Sequence, residues 1–319
     1  MHLVVTGAAG FIGRALVARL LGEHASGARP LRGLTLLDVV LADAPAADFV
    51  RRIEGSIADA ACVARAFESP VDAVVHLASI PGGTAEQQPA PARRVNLDGT
   101  LHLLDAAQAQ ADAGRPAPRF VFASSIAVFG TPMPAQVDDA TPARPAMTYG
   151  AHKLMGEIAV ADCSRRGGCD GVSLRLPGVL ARPPQPTGQL SAFLSDLLRD
   201  PPAGRAVVCP MGPRAATWAS SIHNVVDNLL HACDVAAARL PAGRALTLPT
   251  LRFTMAGLVD ALAAVHGAGV RERISFAPQP HVEALFGRFP PLFTPAADAA
   301  GFRHDGDLAT LVHRAVAPI

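Results

Sequence analysis

The sequence predicts an α/β protein with a doubly wound, mostly parallel sheet and a smaller, discontinuous C-terminal lobe. Three observations point there. Short apolar runs alternate with longer helical patterns, a turn with glycines at 7, 10 and 13 follows the first run, and the composition changes after about residue 178. Taken in order, HLVVTG (2–7), LTLLDV (34–39), VDAVVHLA (71–78), RFVFASS (119–125) and GVSLRLP (171–177) read as strands. The stretches 11–24, 59–68, 90–113 and 149–166 read as helices. Strands separated by helices imply right-handed crossovers and a sheet covered on both faces. Beyond 178, LARPPQPTGQ (180–189) is expected to be a loop, and 276–295 is rich in Pro and Phe. The segment 219–234 reads as a strand end followed by a helix. The expected organisation is a sheet domain over 1–177, to which 216–248 returns, and a lobe built from 178–215 and 249–319.

The 319 residues, half of them hydrophobic and 17% charged, suffice for a substantial core. A net charge of +1 gives no electrostatic reason to expect nucleic acid or an anionic membrane as partner. Cys62, Cys163, Cys169, Cys209 and Cys233 are scattered, with no CxxC and no Cys/His cluster, so reduced thiols and no metal site are expected. The N-terminus enters an apolar run directly, and no stretch is long and apolar enough to span a bilayer. A soluble, cytoplasmic protein is expected. Of the 28 Lys and Arg residues one is a lysine, Lys153, and the chain holds one tyrosine, Tyr149.

In VVTGAAGFIG, Gly7 permits a tight turn, Gly10 lets backbone approach a pyrophosphate and Gly13 allows close helix–strand packing. The N–H groups at the start of the following helix, near Phe11 and Ile12, would point at the phosphates. The spacing is GxxGxxG, and its place in the first strand-to-helix turn is what gives it weight. Asp38 ends the second strand, where a carboxylate can accept hydrogen bonds from the adenosine ribose and repel a 2′-phosphate. That favours NAD over NADP. A solvated strand-end Asp is the alternative.

Tyr149 and Lys153 are four residues apart in TYGAHKLMGE, on one face of a helix. A free phenol ionises near pH 10, and a neighbouring ammonium favours the phenolate. Ser125, at the end of FASS, could donate a hydrogen bond to the same oxygen. Together these groups would take a proton from an alcohol as its carbon loses hydride. Solvated or half-buried side chains with no such role are the plainer alternative.

These residues resemble the extended short-chain dehydrogenase/reductases of the NAD-dependent epimerase/dehydratase superfamily. TGAAGFIG, HLA (76–78), VNLDGT (95–100), SSIAVFG (124–130), YGAHK (149–153) and RLPGVLARP (175–183) occur in that family's order. The resemblance implies a Rossmann-type sheet, Tyr149 as proton acceptor, and Ser125 and Lys153 assisting it. It implies that Leu77 and Ala78 line the cofactor, that Asn96 lies near it, and that Pro177 and Val179 flank the nicotinamide. Within the family the chain is similar to enzymes that oxidise the C2 hydroxyl of a four-carbon sugar acid of the D-erythronate type, with NAD, to the 2-keto acid. A carboxylate substrate needs a cationic anchor, and Arg182 is the candidate; a loop Arg paired to a surface acid is the alternative.

Two stretches depart from the family pattern. EGSIADAA has Ser56 where an Asp commonly contacts adenine, so adenine recognition falls to Ser56 and Ile57, and Asp59 reads as a helix N-cap. The segment IPGGTAEQQP (80–89) differs from the sugar-acid enzymes, leaving Ser79 and Thr84 as candidate contacts to substrate hydroxyls. A sugar-nucleotide epimerase that retains its NAD and a non-enzymatic NAD(P)-binding redox sensor remain alternative readings. The resemblance also implies a homodimer built on helices 90–113 and 149–166. Leu97, Leu101, Leu104, Leu154, Met155 and Ile158 would contribute, or would be ordinary core.

Overall fold

The computed structural model describes residues 1–183 and 192–318, so the loop expected over 180–189 falls mostly outside the described residues. In chain order the elements begin β1 (His2–Thr6), α1 (Phe11–Ala25), β2 (Gly33–Asp38), β3 (Val50–Glu54), α2 (Ala60–Ala66) and β4 (Ala73–His76). There follow α3 (Gly82–Gln87), α4 (Pro89–Arg93), a π-helical turn (Arg94–Asp98), α5 (Gly99–Asp112), β5 (Arg119–Ser125), a 3-10 turn (Ile126–Phe129), α6 (Thr148–Arg165) and β6 (Asp170–Leu176). The remainder comprises β7 (Gly178–Val179), α7 (Ala192–Arg199), β8 (Val207–Cys209), β9 (Ala216–Ser220), α8 (Ile222–Asp234), β10 (Ala245–Thr247), β11 (Leu251–Thr254), α9 (Met255–His266), β12 (Ile274–Phe276), α10 (Pro280–Phe286), α11 (Pro295–Ala300) and α12 (Leu308–Val316).

The chain divides into two compact units, Met1–Gly130 with Ala143–Arg175 and Leu229–Thr247, and Thr131–Pro142 with Leu176–Asn228 and Leu248–Ile319. The first unit holds a seven-stranded sheet in the order β10-β6-β5-β4-β1-β2-β3. β1 runs parallel to both β2 and β4, with Val4 beside Thr35 on one side and Val74 on the other. Every residue of β1 and β4 is buried, which is why HLVVT and AVVH are continuous runs rather than alternating ones. β3 is different. Its VRRIE buries one residue, Ile53, because the strand lies at the sheet's edge, and so nothing in its pattern reads as a strand.

One face of this sheet is covered by α2, α5 and α6, through Val63, Leu103, Leu104, Ala107 and Val160 against Val4, Val74, Phe120 and Phe122. Asp59 caps α2, its Oδ1 accepting the Ala61 N–H at 2.9 Å. The helix expected over 90–113 is broken into α4, the π-turn and α5, and the segment 80–89 contains the short helix α3.

In the second unit β11, β9 and β7 form a three-stranded sheet, and β12 pairs with β8. Its core gathers Leu194, Leu197 and Leu198 of α7, Leu258 and Leu262 of α9, and Leu311 and Val312 of α12. Here the structure differs from expectation. The strand ending near 220 does not return to the main sheet: β9 stays with β11 and β7, and Trp218 on it donates its indole N–H to Pro290 O at 2.8 Å. The segment that rejoins the main sheet is β10, parallel to β6. Residues 131–142, expected within the sheet domain, belong to the second unit, where Val137 forms a bridge with Leu292.

Candidate active site

Residues singled out from the sequence lie at the carboxyl ends of four adjacent strands. Asp38 closes β2, Gly7 follows β1, Leu77 and Ala78 follow β4, and Ser125 closes β5. The strand order reverses direction between β1 and β4, the place where sheets of this kind bind ligands. The turns after β1 and β4 touch there. Gly7 has φ +69°, and a Cβ on it would meet Ala78 N at 2.7 Å. A Cβ on Gly13 would lie 2.0 Å from Gly7 O, so the turn closes against α1 only with glycine at both places. Gly10 is the N-cap of α1, with no side chain capping it. The Asp38 carboxylate accepts the Ala9 N–H at 2.9 Å and the Val39 N–H at 2.7 Å, tying the end of β2 to the glycine turn.

The turn after β4 is held by a chain of hydrogen bonds that runs through a buried histidine. Thr100 donates its hydroxyl to Asn96 O at 2.9 Å, so it accepts from His76 Nε2, also at 2.9 Å. The imidazole is then protonated on Nε2, and its Nδ1 accepts from Thr6 Oγ1 at 2.7 Å. Thr6 Oγ1 in turn accepts the Ala78 N–H at 3.3 Å. Burial, with the nearby Lys153 charge adding to it, pushes the His76 imidazole down to about 3, so it stays neutral. Asn96, buried in the π-turn, accepts the Ile80 N–H at 2.6 Å and donates to Ile80 O at 2.9 Å. Its side chain thus pins the segment holding Ser79, and nothing in that role was legible from the family pattern. Thr84 lies in α3, whose Glu86 carboxylate accepts the Thr148 N–H beside Tyr149.

Tyr149 sits in the first turn of α6 and Ser125 at the end of β5. A Cβ on Gly150 would lie 2.4 Å from Ala127 O, so this turn rests directly on the 3-10 turn that follows Ser125. Lys153 is buried, its Nζ donating to Ala123 O at 2.6 Å. The same nitrogen lies 5.5 Å from the centre of the Tyr149 ring and 4.8 Å from that of Phe122. Burial pushes its ammonium down to about 7, with Glu157 working in the opposite direction. Ser125 Oγ accepts the Ala127 N–H at 3.2 Å, and its own proton remains to be given. Tyr149, Lys153 and Ser125 therefore lie around the carboxyl end of β5, with the amine 5.5 Å from the centre of the tyrosine ring.

Nearly the whole chain is similar to named enzymes. Residues 3–241 match the NAD dependent epimerase/dehydratase family. The chain belongs to that family. D-erythronate dehydrogenase from Cupriavidus necator is 36% identical over 318 residues, which is 98% of this chain and 97% of that one. D-erythronate dehydrogenase from Haemophilus influenzae is 31% identical over 98% of each chain. Among solved structures, the nucleoside-diphosphate-sugar epimerase from Agrobacterium tumefaciens superposes with a TM-score of 0.91 at 32% identity, covering 98% of this chain and 92% of that one. This member of the NAD-dependent epimerase/dehydratase family is an NAD-dependent dehydrogenase, and its cofactor is NAD.

The residues present fit that cofactor. The glycine turn offers backbone where any Cβ would intrude, and it opens a 15-residue helix whose N-terminus, with no side chain capping it, suits a pyrophosphate. The Asp38 carboxylate is fixed at the end of β2, with exposed Val39 and Val40 following it and no cation in either position. A 2′-phosphate there would meet a carboxylate. Ser56 and Ile57 follow β3: Ser56 Oγ accepts the Ala58 N–H, while Ile57 O meets His102 Nδ1 at 3.0 Å. Pro177, Val179 and Arg182 belong to the second unit. Val179 pairs with Ser220 through β7, and the Arg182 N–H donates to Ser195 Oγ at 3.1 Å. No group of His, Cys, Asp and Glu suited to a metal exists among the described residues. Nor, among them, is any helix long and apolar enough to cross a membrane.

Proposed function

We propose that the protein oxidises the C2 hydroxyl of a small sugar acid of the D-erythronate type to the 2-keto acid. The observation that carries the chemistry is the gathering of Tyr149, Lys153 and Ser125 at the end of β5, on the same sheet edge as the glycine turn. End-to-end similarity to two D-erythronate dehydrogenases supports the substrate class. NAD, when bound, takes up the hydride from C2.

Ser125 holds the substrate oxygen by donating its hydroxyl proton, and Tyr149 as phenolate removes the proton from that oxygen. Lys153, charged, stabilises the phenolate and can also reach the nicotinamide ribose from the same turn. Leu77 and Ala78 wall the cofactor, Pro177 and Val179 flank its nicotinamide, and Ser56 with Ile57 meets the adenine. Ser79 and Thr84 meet substrate hydroxyls. Arg182 takes the substrate carboxylate. Ala181, just before it, has φ +63°, a strained conformation for a residue with a Cβ that is more often kept where function needs it. The enzyme works in the cytoplasm as a homodimer. Leu101 of α5 and Met155 and Ile158 of α6 are exposed on neighbouring helices, an apolar face suited to a second copy, while Leu104 is core.

The test is a screen of four- to six-carbon aldonic acids, following NADH absorbance, with Tyr149→Phe as control. Turnover of a four-carbon acid should fall by roughly 100-fold or more in the variant while NAD still binds. Wild-type turnover by Tyr149→Phe, or no oxidation of any acid, refutes the reading. One observation favours a second reading: the solved structure at TM-score 0.91 is described as a nucleoside-diphosphate-sugar epimerase. An epimerase would convert a nucleotide sugar with no net NADH, so the same absorbance trace separates the two.

A further inference from the structure

Behind Lys153 lies a pair of opposite charges that the chemistry above does not use. Glu157 follows Lys153 by one helical turn and Tyr149 by two, and its side chain is 4% exposed. Its Oε1 accepts from Ser124 Oγ at 2.5 Å and from Arg175 Nε at 2.9 Å, and its Oε2 accepts from Arg175 Nη2 at 2.8 Å. Arg175, on β6, packs over the Phe129 ring, 5.2 Å from its centre. Two side chains one turn apart on α6 thus hold consecutive residues of β5: Lys153 takes the Ala123 carbonyl and Glu157 the Ser124 hydroxyl. The next residue is Ser125.

A buried ion pair adds little stability over apolar packing of the same volume. Its position behind the reactive lysine gives it another use. We propose that Glu157 and Arg175 are a positioning pair: Glu157 balances the Lys153 ammonium and fixes the strand end that carries Ser125, while Arg175 holds the Glu157 carboxylate in place and shares its charge. This rests on the reading of Tyr149 and Lys153 as the proton-handling groups.

The three charges alternate as cation, anion, cation. Neutralising Glu157 removes the anion that favours the ammonium, and the Lys153 proton is then lost more readily. Neutralising Arg175 leaves the whole Glu157 charge to Lys153, which then holds its proton to higher pH. The other groups around α6 stay constant in every variant: His76 on β4 is neutral, Glu86 on α3 bonds the Thr148 N–H, and Asp98, Arg93 and Glu86 act on His152.

Lys153 is the only lysine in the chain, so protein labelled with 13Cε-lysine gives one side-chain NMR signal whose titration reports this residue alone. Glu157→Gln should lower its midpoint by about one pH unit, and Arg175→Gln should raise it by about half a unit. The acid limb of kcat/KM should move to higher pH in Glu157→Gln, because the phenol has lost its charged neighbour, with the Kd for NAD unchanged. Should Glu157→Gln not fold, Glu157→Asp retracts the carboxylate and should lower the midpoint by a smaller amount. A pair that only braces the fold predicts lower melting temperatures with the lysine midpoint unmoved, or moved the same way in both variants; either result overturns the proposal. The NMR titration needs no substrate, so failure of the sugar-acid reading would be seen separately, in the NADH screen.

Discussion

The sharpest quantitative expectation concerns His76. Folded, its imidazole is held down to about 3 by burial; in the unfolded chain it ionises near 6.5. Between those values the unfolded state binds a proton that the folded state refuses, so stability rises with pH across the window. The contribution is complete above about pH 6.5 and is lost progressively as the pH falls toward 3. Each unit is worth about 1.4 kcal/mol, so acidification from pH 7.5 to 4.5 should cost roughly 2 to 3 kcal/mol from this residue. Other groups titrate in the same range, and His76→Gln separates them. A glutamine can donate to Thr100 and accept from Thr6 without gaining a charge. The assay is equilibrium urea unfolding of both proteins at pH 7.5, 6.5, 5.5 and 4.5. The wild type should lose about 2–3 kcal/mol more than His76→Gln over the acid limb. Curves that run parallel would mean that His76 is not held neutral, and the tautomer drawn from Thr100 and Thr6 would fall with it.

Three further expectations address the rest of the site. Asp38→Gly removes the carboxylate that a 2′-phosphate would meet, and should narrow the ratio of kcat/KM for NAD over NADP by roughly tenfold or more; an unchanged ratio would place the adenosine ribose elsewhere. Arg182→Ala should raise the KM for the sugar acid by roughly 10- to 100-fold and leave that for NAD within about twofold, whereas equal effects on both would remove Arg182 as the carboxylate anchor. Ile158→Asp puts a charge on the exposed face of α6 and should shift light scattering from a dimer mass to a monomer mass; a wild type that is monomeric at micromolar concentration would refute the dimer directly.

How far the sequence alone could lead depends on what each element's neighbours demand of it. β1 and β4 are buried on both faces, so their runs of Val and Leu announce them, and the glycine spacing marks the first crossover. β3 sits at the edge with two exposed arginines and carries no such signature. The destination of β9 depends on Trp218 finding Pro290 O, a contact between residues 72 apart that no local pattern encodes. At the site, Tyr149 and Lys153 stood out through rarity and spacing. Glu157 continues the same stripe at the next turn, and its spacing from Lys153 is the only signal the sequence carries for it. Arg175 could not be paired with it from sequence, since β6 reaches α6 only in the folded sheet. The His76 chain was invisible for the same reason, joining Thr6 and Thr100 from elements far apart in the sequence.

The charge of Lys153 is where the fold and the chemistry meet. Full burial places the amine 5.5 Å from the centre of the Tyr149 ring and on the end of β5, and the same burial pushes its ionisation down, to about 7 even with Glu157 opposing it. A bound NAD, positive at its nicotinamide, can only add to that pressure. A site that needs a charged lysine beside an oxidised nicotinamide therefore needs an anion nearby, yet an anion in contact with Tyr149 would oppose the phenolate. Glu157 meets both demands by geometry. It is one turn from the lysine and two from the tyrosine, and since Coulomb interaction weakens with distance, it favours the ammonium more than it disfavours the phenolate. On the proposed mechanism, the order Tyr149, Lys153, Glu157 along one stripe of α6 would let a buried amine stay charged while its neighbour loses a proton.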